Sequence, residues 1–273
     1  IDIKDLSDLE VVDLAKSYGI DIALHRNGYT RASRNGFFAI RLAPIQINYL
    51  GYPGTLGADF IDYIVADEVV IPSQYEQYYS ENIIYLPYSY QPNDDKRQIA
   101  KDNTQRIDFS LPKYGFVFCC FNNNYKISSL EFDIWMRCLH RVEGSVLWLL
   151  TSNEIAKENL QGEAEKRGIS RNRLIFADKI PHAQHLARHK HADLFLDTFN
   201  YNAHTTASDA LWAGLPVISK IGEQFAARVS ASLLKAVGLS DLIVYSEIEY
   251  EDLIVELALD KKRLGSIKAR LTK

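Results

Sequence analysis

Cysteine is scarce in this chain of 273 residues, with only Cys119, Cys120 and Cys138. An odd count without a spaced framework excludes a disulfide-built fold and points to a reducing compartment, so a cytoplasmic location is expected. Cys119 and Cys120 stand in an apolar run and read as packed thiols. Long apolar runs are also missing. None approaches the roughly 18 residues that a membrane-spanning helix needs. No secretory signal pattern is visible either, so no membrane partner is expected. Positive charge is not in excess, with 31 Lys and Arg against 35 Asp and Glu for a formal net charge of -4. No overall basic field recruits nucleic acid, and any phosphate must be held by a local arrangement. There is no GKS or GKT ending a glycine-rich loop, which excludes a triphosphate P-loop. There is no HExxH and no cysteine pair, so no metal is expected. Neither a solenoid-period repeat nor a low-complexity tract is present.

What is present is apolar content of 47%, enough for one large or two ordinary domains. The chain starts on Ile1 and reads as part of a longer protein. Its first part carries apolar strand-like runs at 20–24, 44–50, 61–66 and 82–86, and a glycine-rich loop, Gly51-Tyr52-Pro53-Gly54-Thr55-Leu56-Gly57. That loop reads equally as a tight turn or as a site of close backbone approach. A polar, charged stretch with no periodic apolar face follows, and 91–110 is expected to be a linker. Beyond it strand and helix patterns alternate: strands at 116–121, 146–150, 174–176, 194–196, 217–218 and 242–244, with helices between them. One helix is expected over 225–236. Such alternation predicts a parallel sheet covered on both faces, whose ligands bind at the carboxyl ends of the strands.

Polar clusters recur at those ends. Asn122-Asn123-Asn124-Tyr125-Lys126 follows one strand, Asp178 to His185 another, and Asp197 to Asp209 a third. The third is a turn that enters a helix on His204-Thr205-Thr206 and stops at Gly214 before Pro216. The first amides of a helix lack partners inside it and carry partial positive charge. Two hydroxyls and an imidazole beside them suit a diphosphate, Lys126 can neutralise its charge, and Asp209, one turn on, can accept from sugar hydroxyls. Thr205 or Thr206 would equally serve as a simple helix cap. His185 reads as a pocket lining or as the finish of a helix turn, and His189 and His191 read as surface residues.

Taken together, these runs resemble the catalytic region of the O-linked N-acetylglucosamine transferase family, including its bacterial and SPINDLY-like members. The resemblance rests on Asn27-Gly28-Tyr29-Thr30, Ala43-Pro44-Ile45-Gln46, Leu50 to Thr55 with Gly57, and Asp62-Tyr63-Ile64. It continues through Tyr79-Ser80-Glu81, Phe121-Asn122 with Tyr125-Lys126, and Val146 to Leu150. Its last runs are His204-Thr205-Thr206 with Asp209, Leu211 to Gly214, and Gly222-Glu223 with Ala227-Arg228-Val229. It implies an α/β fold of GT-B type with two Rossmann-like lobes, the N-terminal lobe incomplete. Residues 1–90 would be the end of the acceptor-side lobe, 91–110 the linker and 111–273 the nucleotide-sugar-binding lobe. It implies an inverting, metal-independent glycosyltransferase that moves N-acetylglucosamine from UDP-GlcNAc to Ser or Thr of protein acceptors. The alternatives are another nucleotide sugar, such as one of fucose or glucose, or a non-catalytic nucleotide-sugar-binding or interaction module. Tetratricopeptide repeats would precede this region.

Carried over by position, Lys126 would hold the diphosphate and stabilise the leaving group. His204, Thr205 and Thr206 would share that diphosphate, and Asp209 the ribose. His185 and His182 would lie near the nucleoside, with Asn123, Leu150 and Ile180 lining the site. Asp21 is a candidate base by position. His182 stands where many members carry a lysine, and Asp21 where animal members carry a histidine.

Overall fold

The computed structural model describes residues 1–271. The chain divides into two compact units, Ile1–Pro92 with Gln224–Ala226, and Asn93–Glu223 with Ala227–Lys273.

The first unit begins with helix α1 (Asp8–Ser17), which starts where Ser7 and Glu10 cap each other: the Glu10 amide donates to Ser7 Oγ at 3.3 Å and the Ser7 amide to Glu10 Oε2 at 2.7 Å. Strand β1 (Ile22–His25), short helix α2 (Gly36–Ala39) and strands β2 (Ile45–Asn48), β3 (Tyr63–Ala66) and β4 (Asn82–Tyr85) follow. The four strands form one parallel sheet in the order β1-β2-β3-β4. The glycine-rich loop after β2 is held from within the unit. Glu81, buried, accepts from the Leu56 amide at 2.7 Å and from Thr55 Oγ1 at 2.5 Å. Gly51 is required there because a Cβ would run into the Arg26 carbonyl oxygen. The loop is therefore a packed turn anchored on a carboxylate.

The second unit contains β5 (Val117–Cys120), α3 (Ser129–Arg141), β6 (Val146–Leu150), α4 (Glu154–Lys166), β7 (Leu174–Ala177) and α5 (His182–Arg188). It continues with β8 (Leu194–Leu196), α6 (Thr205–Trp212), β9 (Val217–Lys220), α7 (Val229–Ala236), β10 (Ile243–Val244), α8 (Glu247–Leu259) and α9 (Lys261–Leu271). The strands are parallel in the order β10-β9-β8-β5-β6-β7. Every residue of β5 and β8 is buried, as expected of central strands covered by helices on both faces. Trp135, Trp148, Phe118, Phe121 and Phe195 fill the layers beside the sheet. Caps fix the helix starts: Asn153 Oδ1 accepts from the Ala156 amide at 2.8 Å, and Ser246 pairs with Glu249. Helix α6 ends as the sequence requires, with Gly214 at φ +79° and the Leu215 amide returning to the Ala210 carbonyl at 2.8 Å.

Two expectations are revised here. Residues 93–110 are not a free linker but part of the second unit. Arg106 pairs with Asp193 at 2.8 Å, and the Ala100 amide donates to the Ala183 carbonyl at 3.0 Å. Their polarity hides this packing, because the contacts are hydrogen bonds and ion pairs and leave no apolar period. The helix expected over 225–236 is broken into a 3-10 turn, Phe225–Ala227, and α7.

The sheet order decides where a ligand goes. From β5 the chain moves outward through β6 and β7, then returns to β8 on the other side of β5 and continues to β9 and β10. The carboxyl ends of β5 and β8 are therefore neighbours at the point where the winding reverses, where open parallel sheets bind ligands.

Candidate functional site

Both strands that meet at this reversal run directly into polar turns. Beyond β5, Asn122 is buried and stitches the two turns together. Its Nδ2 donates to Thr198 Oγ1 at 2.9 Å, and its Oδ1 accepts from Thr206 Oγ1 at 2.5 Å. A 3-10 turn, Asn124–Lys126, then brings the Lys126 ammonium to the Asn202 carbonyl at 2.9 Å. The same Nζ lies 4.1 Å from the centre of the Tyr201 ring, and Tyr201 stacks on His204 with centroids 4.7 Å apart and planes at 24°. Lys126, Tyr201 and His204 thus form one column leading to the N-terminus of α6, where Thr205 is exposed and Thr206 half-buried. Burial lowers the pKa of Lys126, and the nearby Asp197 opposes that shift.

Asp197 shapes the turn that carries this column. Fully buried, it accepts from the Ala203 amide at 2.6 Å and the Thr198 amide at 2.9 Å on one oxygen, and from Ser219 Oγ at 2.6 Å on the other. Burial pushes its carboxyl up to about 6, against the pull of donors from Ser219, Ser230, Ala203 and Thr198. Asn202 adds a donor bond to the Thr198 carbonyl at 2.8 Å. The loop is held by these hydrogen bonds together with buried Phe199, which packs edge-on against Tyr250 at 4.9 Å.

A second group comes from β7 and α5. Leu150, half-buried, ends β6 with its backbone paired to Ala177 of β7. Ile180 is half-buried in the turn between β7 and α5. His182, mostly exposed, sets Nε2 at 3.3 and 3.4 Å from the two oxygens of Asp209. His185 packs on Phe121 at 5.3 Å and on His189 at 4.8 Å. Burial, reinforced by the neighbouring His189, Arg188 and His182, pushes its imidazole down to about 3. His189 and His191, expected at the surface, are 1% and 7% exposed. The polarity of histidine misled here, since each has one ring nitrogen bonded inside: His189 Nδ1 bonds the His185 carbonyl at 2.8 Å, and His191 Nε2 bonds Thr104 Oγ1 at 2.9 Å.

Other residues of the site were not singled out from the sequence. Arg188 is 1% exposed and lies 4.6 Å over the Phe121 ring, with Nη1 donating to the Asp178 carbonyl at 2.7 Å. Its Nε and Nη2 have no hydrogen-bond partner among the described residues. Its spacing of three from His185 puts both on one helix face, a signal that was available. Arg97, from the segment expected as a linker, pairs with Asp209 at 2.6 Å. Nothing local in the sequence announces that pairing, which spans 112 positions.

The structure thus brings Lys126, His204, Thr205 and Thr206 to one end of the β5/β8 junction, with His182 and Asp209 in contact and His185 packed on Phe121 at the end of β5. Asn123 is exposed at the start of the 3-10 turn. Asp21 belongs to the first unit, exposed just before β1, where its carbonyl accepts from the Ile45 amide at 3.1 Å. Among the described residues, no group of three or more His, Cys, Asp or Glu side chains is placed to hold a metal ion. An ammonium, threonine hydroxyls, an imidazole and a helix N-terminus are groups whose chemistry suits a polyanion.

Residues 3–103 and 99–273 match glycosyl transferase family 41. The chain belongs to this family. It is 39% identical over 277 residues to a probable UDP-N-acetylglucosamine–peptide N-acetylglucosaminyltransferase SEC of Arabidopsis thaliana, covering 99% of this chain and 28% of that protein. It is 26% identical over 364 residues to the UDP-N-acetylglucosamine–peptide N-acetylglucosaminyltransferase of Caenorhabditis elegans, covering 93% of this chain and 32% of the other. The chain therefore spans about a third of the length of these curated relatives. A solved mutant O-GlcNAc transferase from Thermobaculum terrenum superimposes with a TM-score of 0.91 at 29% identity, over 99% of this chain and 51% of that one. HepE of Anabaena, solved with UDP and glucose, shares the fold at a TM-score of 0.61 and 14% identity, over 99% of this chain and 77% of that one. The fold of this family 41 chain is of GT-B type, with two Rossmann-like α/β units.

Proposed function

We propose that this chain carries the donor site of a metal-independent, inverting transferase that moves N-acetylglucosamine from UDP-GlcNAc to Ser or Thr hydroxyls of protein acceptors. One observation carries the reading: the Lys126 ammonium is held 2.9 Å from the Asn202 carbonyl, in the turn that opens α6 on His204, Thr205 and Thr206. In the transfer, the bond from the anomeric carbon to the β-phosphate oxygen breaks and a bond to the acceptor oxygen forms. The acceptor proton passes to a base, for which Asp21 is the candidate by position. Negative charge grows on the departing diphosphate. Lys126, the α6 amides and the Thr205 hydroxyl are preorganised donors for that charge, and such donors contribute most where charge develops. With them in place a divalent cation is not needed to neutralise the leaving group. Supporting the choice of donor are the activities for which the Arabidopsis and Caenorhabditis relatives are named. The three buried, unpaired cysteines support a reducing, cytoplasmic setting.

The test has two parts. UDP at a hundred times its dissociation constant should stabilise this chain by about 2.7 kcal/mol in thermal unfolding, and Lys126→Ala should remove most of that shift. In the full-length protein, label should pass to protein from UDP-GlcNAc in the presence of EDTA, and not from UDP-glucose or GDP-fucose. The absence of any UDP shift at saturation would refute the donor site. Transfer only from another nucleotide sugar would refute the substrate.

A further inference from the structure

Asp209 is a carboxylate only 6% exposed, and a buried charge of this kind needs a counter-charge. The counter-charge is Arg97, 12% exposed, whose Nη1 meets Asp209 Oδ1 at 2.6 Å. All three guanidinium nitrogens are engaged. Nη2 donates to Ser208 Oγ at 3.3 Å and Nε to the Asp94 carbonyl at 3.1 Å. The guanidinium also lies 5.1 Å from the centre of the Trp212 ring, whose Nε1 donates to the Arg97 carbonyl at 3.3 Å. Asn93 bonds Ser208 at one end of this strap, and the Ala100 amide bonds the Ala183 carbonyl at the other. The strap therefore ties α6 to α5 and presses a fixed charge on one oxygen of Asp209.

The other side of the carboxylate differs. His182, 54% exposed, is the neighbour of Oδ2, at a long 3.3 Å. Each carboxylate oxygen accepts more than one hydrogen bond. Arg97 is held by Trp212, Ser208 and the Asp94 carbonyl, and it meets Asp209 at Oδ1. It leaves Oδ2 with His182 as its hydrogen-bonding neighbour and with acceptor capacity to spare.

We propose that Arg97 is a positioning residue of the donor site, which holds Asp209 so that Oδ2 accepts from the ribose hydroxyls of a nucleoside diphosphate. The proposal rests on the donor-site reading above. It makes Arg97 a determinant of ribose recognition without contact to the ligand. A point charge cannot replace it, because the geometry depends on a planar fork that spends three nitrogens on three acceptors.

The experiment measures binding of UDP, 2′,3′-dideoxy-UDP and inorganic pyrophosphate by calorimetry to the wild-type chain and to the Arg97→Ala and Arg97→Lys variants. The wild type should prefer UDP over the dideoxy compound by roughly ten- to hundredfold, the factor that hydrogen bonds to a charged acceptor supply. In Arg97→Ala that ratio should fall to within about threefold, with pyrophosphate affinity kept, while Arg97→Lys should restore only part of the ratio. If Arg97→Ala does not fold, the lysine variant decides: a ratio at least threefold below wild type supports the role, and an unchanged ratio overturns it. An equal loss of all three ligands, or tighter UDP binding in the alanine variant, also overturns it. Failure of the wild type to bind UDP at all refutes the donor site itself, whereas UDP binding with a ratio indifferent to residue 97 refutes only the role of Arg97.

Discussion

Acidification should weaken the second unit through His189, and the size of the effect follows from its surroundings. Nδ1 donates to the His185 carbonyl, so the proton of the neutral ring sits there and Nε2 holds a lone pair. Nε2 is buried with no partner among the described residues. Protonating it would place a charge in an apolar pocket beside Phe121 and near the Arg188 guanidinium. Burial accordingly pushes the imidazole down to about 4 from an ordinary 6.5. A lowered folded-state pKa means that the unfolded chain takes up the proton first. The stability contributed is complete above pH 6.5 and is lost as pH falls toward 4. At about 1.4 kcal/mol per pH unit, the loss reaches about 2 kcal/mol at pH 5 and about 3 kcal/mol at pH 4. His185, pushed to about 3, adds acid sensitivity of the same sign. The perturbation is His189→Asn, whose amide N–H falls near the position of Nδ1 and has nothing to titrate. Urea unfolding of wild type and variant at pH 7 and pH 5 gives the comparison. The wild type should lose about 2 kcal/mol more than the variant over that interval. Parallel losses would show that His189 is not the buried neutral ring described here.

Asp197→Ala should cost about 3–5 kcal/mol in urea unfolding, because it strands two backbone amides and a serine hydroxyl in a buried turn; a loss under about 1 kcal/mol would show that the turn holds its shape by other means. Cys119, Cys120 and Cys138 are fully buried and burial raises all three thiols, Cys138 to about 12, so a thiol reagent at pH 8 should titrate none in the folded chain and three in denaturant. Rapid labelling of the folded chain would place those cysteines elsewhere.

Much of the fold was legible because the signals were local. The apolar runs at 116–121, 146–150 and 194–196 read as strands of a sheet covered on both faces, and Gly214 marked the end of the helix that follows the last of them. The polar turns at strand ends were legible for the same reason: Lys126 and His204-Thr205-Thr206 lie in the turns that follow β5 and β8. What was hidden lay in polar residues whose partners are remote. Arg97 belongs to a stretch without apolar period, so it read as a linker, and its partner lies 112 positions on. His189 and His191 looked like surface residues because a sequence shows polarity but not the carbonyl or hydroxyl that satisfies it.

The order of strands and turns in the second unit, and the chemical groups at their ends, were determined by the sequence alone, since hydrophobic period and capping act over a few residues. Only the tertiary structure decided that β8 returns beside β5, and hence that Lys126 meets the Asn202 carbonyl and Asn122 bonds Thr206. Strand adjacency depends on which covered faces pack together, a property of the whole sheet that no short stretch encodes. The same holds for the charge on Asp209: its neighbour in space is a guanidinium that chain order places far away.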